Sequence, residues 1–218
     1  MYIKEILSKI KEMNNTSCDN TALKDISEDN STDPFRVLIG TILSQRTRDE
    51  NTRRAVRDLF SHYENAEELS KGRIDVIEKL IKPSGFYHVK ARRIKNVAKI
   101  IVEKYHGVVP DDIDSLLSMP SVGRKTANCV LVYAFNKPAI PVDTHVHRIS
   151  NKLGIVETRT PEETEVALRE SIDQKFWLEI NDLFVKFGQR ICTPIGPKCN
   201  TCKLKNGCAH YLEKIKNC

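Results

Sequence analysis

The chain is predicted to be all-α, on three features. Apolar residues recur at helical spacing in one segment after another. No stretch alternates polar and apolar as a half-buried strand would. The breaks between segments carry capping residues, Pro or Gly. Ile3, Ile6, Leu7, Ile10 and Met13 share one face, so the first segment is an amphipathic helix; charges run through it, which leaves no secretory apolar core. Asp25 to Asp33 is polar and acidic and is expected to be a loop. Asp33-Pro34 opens a helix with Phe35, Leu38, Ile39 and Ile42 together. Asn51 to Tyr63 aligns Ala55, Val56, Leu59 and Phe60. Ile74 to Leu80 and Ala91 to Tyr105 repeat the pattern, the latter with Ile94, Val97, Ala98, Ile101 and Val102.

Gly107 and Pro110 end that helix. A short helix after Asp111 leads to the turn Pro120 to Gly123, and a further helix runs from Arg124 to about Phe135 on the apolar face Ala127, Val130, Leu131 and Ala134. Lys125 lies about 200° from Ala127 around the axis and should point away from that face. Residues 136–142 are a Pro-rich connection, and Asp143 stands where an N-cap belongs for the helix carrying Val146, Ile149 and Leu153. Thr160-Pro161-Glu162-Glu163 is a helix start, and Phe176 to about Arg190 is the last long helix. One-faced helices must pack on one another.

Composition narrows the function less. Lys and Arg number 35 against 29 Asp and Glu, a formal charge of +6 and a modest bias toward polyanions. No run of about 18 apolar residues exists, so a membrane span is not expected. Seven cysteines, an odd number without a signal peptide, argue for reduced cytosolic thiols. His145 and His147 fall on different helical faces and make a poor metal pair. Trp177 is expected in the core, Cys18, Cys129 and Cys218 as inert thiols, and Lys90, Arg92, Arg93 and Lys95 as a solvated face.

Chemistry concentrates in Met119-Pro120-Ser121-Val122-Gly123-Arg124-Lys125-Thr126-Ala127, with Asp143 eighteen residues after the lysine. Exposed amides at a glycine turn and helix N-terminus suit a phosphate. A lysine at the positive end of a helix is a poorer cation and a better nucleophile. The tail carries Cys192, Cys199, Cys202 and Cys208 in the spacing C-x6-C-x2-C-x5-C. Four thiolates in so short a region suit tetrahedral zinc or an iron–sulfur cluster; four unligated cysteines are the plainer alternative. Lys198, Lys203 and Lys205 would surround the site with positive charge, for phosphate contact or simple solvation.

The hairpin turn, Lys125, the run Val142-Asp143-Thr144-His145-Val146-His147-Arg148, the segment Gly85-Phe86-Tyr87-His88-Val89-Lys90-Ala91 and the cysteine spacing together resemble the endonuclease III family of DNA glycosylases, the helix–hairpin–helix superfamily with a Gly/Pro-rich loop and Asp. The match runs from about Asp33 to Cys208. The resemblance implies an all-α, two-lobed enzyme. A helical barrel domain with the helix–hairpin–helix spans residues 24–135, and an iron–sulfur cluster domain comprises residues 1–23 and 136–218. DNA would lie across a cleft with Lys125 and Asp143 on opposite walls. The implied activity is a bifunctional DNA N-glycosylase and abasic-site lyase of base excision repair, acting on oxidised pyrimidines. Lys125 would form an imine with the sugar and Asp143 would stabilise charge or take a proton. Gln45, Arg46, Ser121, Val122, Gly123, Arg124 and Lys198 would contact DNA. Cys192, Cys199, Cys202 and Cys208 would hold a [4Fe-4S] cluster. The implied partner is double-stranded DNA with a damaged base or an abasic site. The protein is expected to be a cytoplasmic monomer, associated with the nucleoid in a prokaryote. A mismatch (T/G or U/G) glycosylase and a non-catalytic cluster-bearing DNA-binding module are the alternatives.

The chain departs from the family's pattern twice. The hairpin usually reads Pro-Gly-Val-Gly and here has Ser121 at the first glycine, where a left-handed conformation would cost about 1–2 kcal/mol. The family's gap-filling glutamine stands two residues after a serine; here Arg46 holds that place after Ser44, with Gln45 one residue earlier. Both remain candidates.

Overall fold

Asp33 accepts a hydrogen bond from the Phe35 amide at 2.9 Å, and Pro34 follows it in the first turn. Asn65, Asp112, Asp143 and Thr160 cap later helices through their side chains in the same way. The computed structural model describes residues 2–14, 21–28 and 33–216. In chain order its helices are α1 (Ile3–Asn14), α2 (Ala22–Glu28), α3 (Pro34–Ser44), α4 (Asp49–Phe60), α5 (Ala66–Lys71), α6 (Ile74–Leu80) and α7 (Tyr87–Tyr105). Then come α8 (Ile113–Leu117), α9 (Arg124–Phe135), α10 (Thr144–Lys152), α11 (Pro161–Ser171), α12 (Trp177–Arg190) and α13 (Ala209–Lys216). No strand occurs among the described residues, and no helix there is long and apolar enough to cross a membrane. Cys18 and Cys218 lie outside the described residues.

The chain divides into two compact units, Asn20–Lys137 and Met1–Asp19 with Pro138–Cys218. The first is organised on α3, which packs on α2, α4, α7 and α9. Its Val37, Leu38, Ile39, Ile42 and Leu43 are all fully buried. A helix apolar on every side belongs in a core. In the second unit α12 packs on α1 and α10. Ile6, Ile10, Val146, Ile149, Phe184 and Phe187 form its centre, and Trp177 is buried with Nε1 donating to the Ile172 carbonyl at 2.9 Å. Each such side chain stabilises the fold by roughly 1.5–3 kcal/mol.

Two expectations are corrected. Residues 25–28, expected in a loop, belong to α2. Ala22 and Leu23 are buried, and Ile26 sits so close to Gly40 that a Cβ there would lie 2.8 Å from its Cδ1. Apolar contact with α3 outweighs the polar composition of this stretch. Lys90, expected on a solvated face, is 3% exposed. Its Nζ donates to the Leu43 carbonyl, the Thr47 hydroxyl and the Ser84 carbonyl at 2.7, 2.7 and 2.8 Å. An ammonium has three donors, and three acceptors offset the cost of burying it.

Candidate functional site

The segment ahead of α9 is a β-turn. Val122 donates its amide to the Met119 carbonyl at 3.2 Å, with Pro120 and Ser121 at the corners. Ser121 has φ +69°. Proline first and a left-handed residue second make a type II turn, whose second corner favours glycine. Gly123 follows as the N-cap of α9 at φ −87° and ψ 175°, an extended conformation open to any residue. A Cβ built on it would meet nothing within 4 Å. Neither backbone nor packing therefore requires glycine there, and Ser, Asp or Asn would cap better. What the glycine leaves is room outside the chain, at the positive end of a twelve-residue helix.

Arg124 is exposed and Lys125 half-buried in the first turn of α9, while Thr126, Ala127 and Val130 are buried behind them. The end of α3 reaches the same turn, where Gln45 Nε2 donates to Thr126 Oγ1 at 3.3 Å. Arg46 is exposed and holds φ +54°. The two gap-filling candidates thus differ: Gln45 lies against α9 at Thr126, the residue after Lys125, and Arg46 projects from a strained turn.

Asp143 is the N-cap of α10, as its sequence position predicts. Its Oδ1 accepts from the His145 and Val146 amides at 2.8 and 2.9 Å. Both capping bonds use one oxygen, which leaves Oδ2 for another partner. Beyond it, His147 Nδ1 lies 2.6 Å from Thr164 Oγ1 and His145 Nδ1 lies 3.1 Å from Arg148 Nη2, so the two rings serve different contacts. Arg148 Nη2 also donates to the Cys192 carbonyl at 2.9 Å and the Gly188 carbonyl at 3.3 Å. Arg148 ties the Asp143 helix to the first cysteine, a role the sequence reading missed. A Cβ on Gly188 would stand 2.6 Å from His145 Nδ1, so the contact between α10 and α12 requires glycine there.

Cys192, Cys199, Cys202 and Cys208 line one pocket, together with Phe187, Ile191 and Tyr211. None is in a disulfide. Burial pushes the Cys192 and Cys202 thiols up, with Lys152 and Arg148 pulling Cys192 the other way. Four thiols gathered in a partly apolar pocket are a donor set for a cationic metal core, which would offset the desolvation of their anions. Among the described residues no group of three or more His, Cys, Asp or Glu stands ready for a single metal ion. The loop from Cys192 to Cys199 is closed by Lys198 N donating to the Ile191 carbonyl at 2.9 Å, and it exposes Ile195. Lys203 is paired with Glu12 at 2.9 Å and Lys205 donates to the Asn200 carbonyl at 3.1 Å. Lys198 is exposed and makes no side-chain ion pair among the described residues. Cys129, by contrast, is buried within α9.

A model of the HhH-GPD superfamily of base excision DNA repair proteins matches residues 39–174, a span that holds the hairpin, Lys125 and Asp143. Endonuclease III of Thermotoga maritima is 56% identical over 185 residues, which are 85% of this chain and 87% of that one. The chain belongs to the endonuclease III family. It is a bifunctional glycosylase and lyase of base excision repair. A trapped endonuclease III–DNA covalent intermediate superposes with a TM-score of 0.84 at 30% identity, covering 99% of both chains. A thermostable thymine-DNA glycosylase superposes at 0.83 and 26%, covering 96% of both.

Proposed function

We propose that this endonuclease III family member excises oxidised pyrimidines from double-stranded DNA and then cleaves the strand at the abasic site, with Lys125 as nucleophile. The observation that carries the reading is a half-buried lysine in the first turn of a helix whose glycine cap the fold itself does not need. The unit Asn20–Lys137 acts as the barrel domain and the other unit as the cluster domain. Ser121, Val122, Gly123 and Arg124 hold a backbone phosphate, while Gln45 and Arg46 fill the space left by the extruded nucleotide. Lys198 adds a phosphate contact beyond the hairpin.

The neutral amine of Lys125 attacks the sugar C1′. The base leaves with the bonding electron pair and a proton, and the sugar opens to an imine. The imine acidifies the C2′ hydrogen; its loss expels the 3′ phosphate. Asp143, through the oxygen its cap leaves unused, balances positive charge on the sugar or accepts a proton. A hydroxyl cannot form an imine, so the reaction needs the amine.

Cys192, Cys199, Cys202 and Cys208 fit a [4Fe-4S] cluster. Membership of the endonuclease III family supports the cluster over zinc, whose ribbons usually present two C-x2-C knuckles where this chain has one. When bound, the cluster supplies cross-links between the 192–199 loop and the segment before α13. The protein works as a cytoplasmic monomer on damaged duplex DNA.

Borohydride trapping on a panel of lesion duplexes tests the reading. A covalent adduct with oxidised pyrimidine duplexes, absent for Lys125→Gln, is expected. An adduct that survives the substitution removes the lyase assignment. The thymine-DNA glycosylase among the structural neighbours makes a T/G duplex a necessary member of the panel. Excision there and not on oxidised pyrimidines would make this a mismatch enzyme. Iron and sulfide in equal stoichiometry support the cluster, and stoichiometric zinc would overturn it.

A further inference from the structure

Lys90 is a buried, charged group that the reaction does not use. It stands on α7 and joins two stretches of chain: Leu43 and Thr47, distant in sequence, on one side and Ser84, six residues before it, on the other. The three contacts are not scattered. Leu43 and Thr47 bracket Gln45 and Arg46, and the Thr47 hydroxyl is also within hydrogen-bond reach of the Gln45 carbonyl at 3.2 Å. The same hydroxyl makes a short hydrogen bond to the Ser84 carbonyl. Thr47 N completes the turn by donating to the Ser44 carbonyl at 3.1 Å.

The turn so fastened is one that an untethered chain would avoid. Arg46 holds φ +54°, and across the hub Gly85 and Phe86 hold φ +64° and +48°. A non-glycine residue keeps such a conformation only when its surroundings over-determine it. Burial and the charge of Arg93 pull Lys90 down to about 8, so the ammonium with its three donors is the form present at pH 7. A Met would fill the same space and supply no donor.

We propose that Lys90 is a positioning residue for gap filling: through Leu43, Thr47 and Ser84 it locks the turn that presents Gln45 and Arg46 to the space vacated by the extruded nucleotide. The proposal rests on the reading of that pair as the gap-filling residues.

The test uses full-length protein at pH 7 and a duplex carrying a non-cleavable tetrahydrofuran abasic analogue with 2-aminopurine opposite. Fluorescence reports how far the opposite base is unstacked, and titration gives Kd. Lys90→Met is expected to weaken binding to this duplex about tenfold and to lower the fluorescence rise, while binding to undamaged duplex changes less than twofold. Combined with Gln45→Ala and Arg46→Ala, Lys90→Met should add less than a further twofold, because the turn then has nothing to present. If Lys90→Met does not fold, Thr47→Val removes the same hub from the other end and should give the same pattern. Equal losses on damaged and undamaged duplex, or an undiminished effect in the Gln45→Ala/Arg46→Ala background, would overturn the proposal and leave gap filling intact. Wild-type binding and fluorescence by the Gln45→Ala/Arg46→Ala variant would instead bring down the gap-filling reading, and the role of Lys90 with it.

Discussion

Pro120 and Ser121 form the corners of one type II turn, and the serine takes the left-handed corner at φ +69°. That conformation costs an L-residue about 1–2 kcal/mol, of which glycine's greater freedom when unfolded would return roughly 0.5–1. Ser121→Gly is therefore expected to stabilise the protein by about 0.5–1 kcal/mol, a rise of roughly 1–4 °C in Tm. Ser121→Val should lower Tm, since a β-branched side chain tolerates the left-handed region worst. Thermal unfolding of the two variants decides the matter; a glycine variant no more stable than wild type would mean that the serine hydroxyl offsets the strain.

Asp143 caps α10 with one oxygen, so capping and chemistry are separable by substitution. Asn caps about as well as Asp but carries no charge. Asp143→Asn should stay within about 0.5 kcal/mol of wild-type stability. It should lose roughly 100-fold or more in single-turnover excision. Asp143→Ala should lose the activity and about 1 kcal/mol of stability as well. Equal activity of wild type and the Asn variant would reduce Asp143 to a cap.

These two positions were readable in the sequence because each is governed locally. A turn glycine followed by an apolar period gives α9 its bounds, and Asp before such a period gives α10 its cap. What was not readable depends on chain far away. α2 forms because α3 offers it an apolar surface, with Gly40 allowing Ile26 to approach. Arg46 and Gln45 are told apart only by the backbone that Lys90 and Thr47 impose. Lys90 itself did leave a signal. It precedes Ile94, Val97 and Ile101 at helical spacing, so it belongs to the buried stripe of α7; a charge on such a stripe is a candidate buried hub. Gly188 left none, because a close helix contact requires both partners to be known.

Burial makes Lys90 titrate where its charge affects stability. It is pulled from its ordinary 10.5 to about 8, first by desolvation and then by Arg93. Between those values the unfolded chain holds the proton and the folded chain releases it, so stability rises with pH across that window. Below about 8 both states are charged, and the part of the burial cost that the three acceptors do not offset remains. The shift corresponds to about 3 kcal/mol. Relative to Lys90→Met, wild type should gain up to that amount between pH 7.5 and 10.5 in urea denaturation. A difference that stays flat or falls as pH rises would show that the three acceptors hold the ammonium charged throughout.

The lysines around the cysteine pocket are not equivalent. Lys203 is held by Glu12 and Lys205 by the Asn200 carbonyl, so contact with a phosphate would have to break a bond already made. Lys198 is exposed between two cysteines of the pocket and has no such commitment among the described residues. Each neutralised phosphate contributes about 0.9 to the slope of log K against log salt. Lys198→Ala should therefore weaken duplex binding and reduce the slope by about 0.9, and Lys203→Ala should leave it unchanged. Titrations of both variants at several salt concentrations measure the slopes directly. Equal slopes for Lys198→Ala and wild type would place the DNA backbone away from this loop, with the hairpin of α9 as the main phosphate grip.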